Sequence, residues 1–149
     1  MLKVTLVFCL ATLWSLTFAI LPRPCRDFPS FTSVNVSDCE GDFSPCPFVK
    51  GSNVTLTASF ISNIDSQNTT IAVFGKITTL KIRTPFPISP NSGCFYGIPC
   101  PIKKNEEYTF QLTMPIRRLY PAIRVDTGLE LFGDNNARIA CVQFPARIQ

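Results

Sequence analysis

The sequence predicts an all-β protein, two antiparallel sheets stacked as an immunoglobulin-like sandwich. Three observations lead there. Period-two alternation of apolar and polar residues recurs along the chain, no segment shows a convincing helical period, and an exported chain is left with an even number of cysteines.

Alternation is cleanest over Asn53 to Phe60, where Val54, Leu56, Ala58 and Phe60 share one face and Asn53, Thr55, Thr57 and Ser59 the other. In Glu106 to Thr113, Tyr108, Phe110 and Leu112 point one way, with Glu107, Thr109 and Gln111 opposite. From Ile123 to Leu131, Ile123, Val125, Leu129 and Leu131 alternate with Arg124, Asp126, Gly128 and Glu130. Ala140, Val142, Phe144 and Ala146 share a face near the C-terminus, and Phe31 to Val36 and Ile71 to Ile77 are less regular candidates. Turn-forming residues separate these runs at Lys50 to Ser52, Asn63 to Asn68, Asn91 to Gly93, Lys103 to Asn105 and Gly133 to Asn136. Strands that are apolar on one side must bury those sides against each other. A closed barrel would do so. Two stacked sheets are the more economical arrangement.

The first 19 residues read as a secretory leader. Lys3 is followed by an apolar run from Val4 to Leu16, and the segment ends Leu16-Thr17-Phe18-Ala19, with cleavage expected after Ala19. Residues 20–149 then form one domain. Removal of the leader takes away Cys9 and the lone Trp14, leaving six cysteines, no tryptophan and no histidine. An even cysteine count in an exported chain reads as a disulfide framework rather than a metal site. Three sequons, at Asn35, Asn53 and Asn68, are expected glycan acceptors. The net charge of +4 for the whole chain is too mild to argue for nucleic acid.

The same counts speak against an enzyme. There is no histidine, no free thiol once six cysteines pair, and no nucleophile elbow or metal-ligand cluster. Glu106 and Glu107 would point to opposite faces of one strand, so the two carboxylates cannot share a site. No cofactor is expected.

One stretch does not suit an ordinary sandwich. Thr84 to Pro90 carries Pro85, Pro87 and Pro90 around Phe86 and Ile88. The prolines exclude it from a central strand and stiffen it into an extended path. Pro115-Ile116 and Tyr120-Pro121 are two more proline-marked apolar junctions. Such loops either plug the end of a core or line the entrance to an apolar cavity.

Taken in order, several pieces resemble the Niemann-Pick type C2 family of small sterol-transfer proteins, within the wider class of ML lipid-recognition domains. They are Val34-Asn35-Val36-Ser37 before Cys39, Pro45-Cys46 before Lys50-Gly51, Pro85-Phe86-Pro87-Ile88, Gly93-Cys94, Gly97-Ile98 before Cys100-Pro101-Ile102, and Pro115-Ile116 before Tyr120-Pro121. The likeness runs from about Cys25 to the C-terminus. It implies a sandwich that encloses an apolar pocket and the disulfides Cys25–Cys141, Cys39–Cys46 and Cys94–Cys100. It also implies a carrier that binds a single sterol or related lipid between its sheets and transfers it between membranes or carriers. By the same likeness Phe86, Pro115, Ile116 and Tyr120 would form the mouth, and Leu56, Phe110, Leu129 and Val142 the deeper wall.

This chain departs from the vertebrate sterol carriers of that family at Leu129 and Val142, where they carry tryptophan. Smaller side chains there, with Thr127 also facing inward, predict a deeper or differently shaped cavity and a ligand choice that has drifted toward flexible chains such as fatty acids. Arg117 and Arg118 lie beside the proposed mouth. They would attract anionic membranes while Leu119 and Ile116 touch the bilayer, a solvated basic turn being the other reading. The protein is expected to act as a monomer outside the cell or in the lysosomal lumen, with a membrane sterol transporter or receptor as its partner. A lipid-recognition role, carrying fatty acids or signalling lipids or serving as an innate-immune co-receptor, is the alternative.

Overall fold

The computed structural model describes residues 22–39 and 45–149. The expected leader, with Cys9 and Trp14, lies outside the described residues. Nine strands are present among the described residues: β1 (Arg23–Pro24), β2 (Ser33–Val36), β3 (Cys46–Phe48), β4 (Asn53–Ile61), β5 (Thr70–Ile77), β6 (Ile82–Phe86), β7 (Glu107–Pro115), β8 (Arg124–Phe132) and β9 (Arg138–Ile148). They form a larger sheet in the order β1-β9-β8-β5-β6, with β3 also beside β9, and a smaller sheet in the order β2-β4-β7. Two short 3-10 turns, Gly93–Tyr96 and Asp134–Asn136, are the other regular elements.

Side-chain alternation turns each sheet into a two-faced layer. In the smaller sheet the register pairs Val54 with Met114, Leu56 with Leu112, Ala58 with Phe110 and Phe60 with Tyr108. All of these are buried. The intervening residues face out, where the Thr55 and Thr113 hydroxyls meet at 2.9 Å and those of Ser59 and Thr109 at 2.6 Å. Asn35 and Asn53 are exposed on this hydroxyl-rich face, and Asn68 is exposed just before β5.

The inner face of the larger sheet presents Ile71 and Val73 from β5, Val125, Thr127, Leu129 and Leu131 from β8, and Ala140, Val142, Phe144, Ala146 and Ile148 from β9. The two inner faces bury a core dominated by Phe48, Phe60, Phe110 and Phe144. One pairing departs from the antiparallel pattern: β3 runs parallel to β9.

The outer face of the larger sheet carries a second packed layer that alternation does not announce. Glu130 faces outward yet is only 7% exposed. Arg83 from β6 reaches across β5 to bond it at 2.6 Å, and the same guanidinium lies 3.6 Å from the centre of the Phe74 ring. Phe74 in turn fills the space over Gly128, where an added Cβ would fall 2.0 Å from the ring. Phe74 and Gly128 are direct partners across β5 and β8, so the glycine is what lets the ring lie flat on the sheet.

Strand β6 agrees with the exclusion of this stretch from a central strand: Ile82–Phe86, including Pro85, is extended and paired on one side, forming the outer edge of the larger sheet. Pro85 has no N–H to give to a second neighbour, which is why the edge accepts it. The other prolines, Pro87 and Pro90, lie beyond the strand.

Cys25 bonds Cys141, Cys39 bonds Cys46 and Cys94 bonds Cys100. The first joins the chain beside β1 to the middle of β9, across a sequence separation of 116. The other two join cysteines separated by 7 and 6 positions in sequence.

Candidate functional site

The loop from Ile116 to Ile123, between β7 and β8, brings Tyr120, Pro121 and Ile123 to the inner face of β5 and β6 at Gly75, Ile77, Thr84 and Phe86. It begins at Ile116, held by hydrogen bonds from the Ile116 N–H to Ser52 and from the Gly51 N–H to Ile116. It then turns through Arg117 and Arg118, both exposed, and Leu119, 94% exposed at the tip. Tyr120 comes back inward, where its ring meets Phe86 edge to face at a centroid distance of 5.6 Å.

Beneath that contact is an apolar pocket of about 100 Å³. Its floor is the inner face of the larger sheet at Gly75, Val125 and Ile148, and its rim includes Thr84, Phe86 and Tyr120. None of the residues lining it is charged. A second recess, about 390 Å³, opens on the opposite flank between β2 and β9, with Phe31, Val34 and Val142 in its lining. Their linings meet the inner face of the larger sheet at separate points. Val125 lines the first, and Leu129, two positions further in on the same face of β8, pairs with Val142 at the second. The four-residue step from Val125 to Leu129 is about 13 Å along a strand.

The expected mouth residues divide. Phe86 and Tyr120 come together over the pocket. Ile116 is 1% exposed in the core and does not line it, so it is not available to touch a bilayer, and Leu119 alone projects. Pro115 is exposed at the end of β7 and borders a separate shallow groove with Ile88 and Arg117. Leu56, Phe110, Leu129 and Val142 are all buried on inner faces between the sheets. Of these, Val142 reaches an open recess, the one on the β2 side.

Gly75, Thr84 and Ile148 belong to the pocket without having been singled out from the sequence. A signal for Gly75 existed: a glycine inside a strand marks a close approach by another group. Here the Phe86 ring comes to 3.2 Å of where a Gly75 Cβ would be. Glu106 and Glu107 diverge as alternation requires, Glu106 accepting from the Tyr108 hydroxyl and Glu107 from Thr32. Among the described residues no group of three or more His, Cys, Asp or Glu side chains is placed to hold a metal ion.

Comparison with known proteins agrees with this architecture. The family described as the ML domain matches residues 22–148. The chain belongs to the ML-domain family. A dog protein named NPC intracellular cholesterol transporter 2 is 35% identical over 116 residues, covering 78% of this chain and 75% of the relative. The crystal structure of a Niemann-Pick type C2 protein from the Japanese carpenter ant superposes with a TM-score of 0.78 at 25% identity, covering 87% of this chain and 99% of the ant protein. Chicken MD-1, solved with lipid IVa, shares the ML fold at a TM-score of 0.52 and 16% identity, over 83% of this chain and 85% of its own. The ML frame therefore accounts for the two sheets, and the pocket under Phe86 and Tyr120 lies between the larger sheet and the β7–β8 loop.

Proposed function

We propose that this ML-domain protein is a carrier that holds one lipid, a sterol or a related lipid, between its sheets and passes it between membranes or other carriers. The observation that carries the reading is the uncharged apolar pocket on the inner face of the larger sheet, closed by two aromatic rings from different elements. A curated relative at 35% identity is named a cholesterol transporter.

The pocket, at about 100 Å³, is smaller than a lipid. Sites for ligands of that size run to roughly 300–1,000 Å³. Loading therefore requires the Phe86 and Tyr120 rings to part and the space toward Leu129 and Val142 to open. Burying about 300–500 Å² of lipid surface would return roughly 8–12 kcal/mol. Ordering and cavity opening take back several kcal/mol of that. The balance suits micromolar to nanomolar binding with exchange still possible. No bond is made or broken in the cycle.

The end of the sandwich beside the mouth suits contact with a membrane. Leu119, Leu80 and Val49 are exposed there, on the β7–β8, β5–β6 and β3–β4 connections. Lys50, Lys81, Arg117 and Arg118 flank them. The basic side chains would draw the end to anionic headgroups while Leu119 enters the interface. The leader and the exposed sequons at Asn35, Asn53 and Asn68 support export to the extracellular space or the lysosomal lumen.

Vesicle-to-vesicle transfer of a fluorescent sterol tests the reading. The protein should accelerate transfer well beyond the spontaneous rate, and replacing Arg117 and Arg118 together by Glu should slow delivery to anionic vesicles several-fold while leaving neutral ones unaffected. No acceleration by the native protein with sterol or fatty-acid probes would overturn it.

A further inference from the structure

Residues that face each other across neighbouring strands form rows on the inner face of the larger sheet. One row runs Thr84 on β6, Gly75 on β5, Thr127 on β8 and Phe144 on β9. Thr127 is fully buried, and its Oγ1 has no hydrogen-bond partner among the described residues. Buried hydroxyls are ordinarily paired, so an orphan one paired across the strands with a residue that lines the pocket asks for a partner that comes and goes. Gly75, its direct neighbour, contributes no side chain, and the gap it leaves is filled by the ring of Phe86, the same ring that closes the mouth. Thr84, on the far side of the gap, lines the pocket. Two hydroxyls thus flank a seat without a side chain of its own, covered by the gate.

We infer that when the Phe86 ring swings aside, the polar group of the bound lipid seats over Gly75 and exchanges a hydrogen bond with the Thr127 hydroxyl. This rests on the carrier reading and names the ligand class: a lipid alcohol rather than a fatty-acid anion. A threonine hydroxyl can both donate to and accept from an alcohol. An ionised carboxylate would need a counter-charge, and no charged residue lines the pocket. The nearest cations in the sequence of β5 and β6, Lys76 and Arg83, fall on the outward-facing positions of those strands, and Arg83 is engaged with Glu130. The seat therefore points away from the fatty acids that the loss of bulk at Leu129 and Val142 suggests.

The test compares matched ligands on the intact secreted protein: cholesterol against cholestane, which lacks the hydroxyl, and oleyl alcohol against oleate at neutral pH. Affinities are read by displacement of a fluorescent sterol. The native protein should prefer each alcohol over its twin by about tenfold, the order of one buried hydrogen bond. Thr127→Val, which keeps the shape and removes the hydroxyl, should leave cholestane binding unchanged and reduce the preference for cholesterol to within about twofold. Thr127→Ser should retain the preference. An undiminished preference in Thr127→Val, or oleate bound as tightly as oleyl alcohol by the native protein, would overturn the seat while leaving the carrier intact. A native protein that binds none of the four would remove the carrier reading and the seat together.

Discussion

Phe86 and Tyr120 meet edge to face, their ring planes 75° apart, and the contact ties edge strand β6 to the loop that leads into β8. Both rings are only partly buried, so the contact holds a door rather than the fold. Removing either ring forfeits the aromatic pair, about 0.5–1.5 kcal/mol, and part of the apolar cover over the ligand. Tyr120→Ala and Phe86→Ala should each speed sterol release by roughly 5–30-fold with little change in melting temperature. Stopped-flow release of a fluorescent sterol measures this. Unchanged release in both variants would mean that the lipid leaves by another route, the recess beside Val142 being the first to examine.

The outer layer of the larger sheet gives a stability prediction. Gly128→Ala places a methyl group 2.0 Å from a Phe74 ring carbon, and Phe74 cannot retreat without disturbing the Arg83 guanidinium stacked on it. Overpacking of this kind should cost about 2–3 kcal/mol, visible as a lower denaturant midpoint. A neutral result would mean that β6 is free to move outward with its arginine.

This layer also shows where sequence reading stops. Strands β4, β7, β8 and β9 were legible because each puts one face in a core and the other toward polar surroundings, the condition under which alternation carries information. Glu130 and Gly128 looked like ordinary surface positions on β8, and only the tertiary partners Phe74 and Arg83 bury them. Strand β3 is three residues long and pairs with the far end of the chain, so nothing local reports it. Of the candidate site, Phe86 and Tyr120 were legible through the resemblance. Ile116 was placed at the mouth for the same reason, yet its backbone bonds to Gly51 and Ser52 direct it into the core. Gly75 was missed because its role depends on a ring from the adjoining strand.

The disulfides should rank by the loops they close. Loss of Cys25–Cys141, which spans a separation of 116, should cost about 4–5 kcal/mol in the chain-entropy view. Loss of Cys39–Cys46, with a separation of 7, should cost about 2–3 kcal/mol. Paired Cys→Ala variants compared by chemical denaturation check the order. A reversed order would show that the long closure is strained or that the unfolded chain is already compact.

Asp134 links the loop before β5 to the β8–β9 connection. Its carboxylate accepts the Gln67 N–H at 2.7 Å and the Asn68 N–H at 3.2 Å. The Gln67 N–H chiefly, with Asn68 and Ser66, holds its pKa below the ordinary aspartate value. A folded-state pKa below the unfolded one gives stability that is present above the unfolded value and lost as pH falls through the folded one. Asp134→Asn should therefore be less stable than the native protein at neutral pH and indistinguishable from it once the pH is well below the ordinary aspartate range. Urea titrations of both proteins across that interval check the sign. A deficit that persists undiminished at low pH would assign the effect to packing instead.

Native mass spectrometry of the purified protein, followed by extraction and identification of what it carries, tests the central claim most directly. The account predicts a complex one lipid heavier than the lipid-free protein, the lipid released chemically unaltered and bearing a free hydroxyl. Protein that stays lipid-free through purification, and through incubation with sterols and long-chain alcohols, would contradict it.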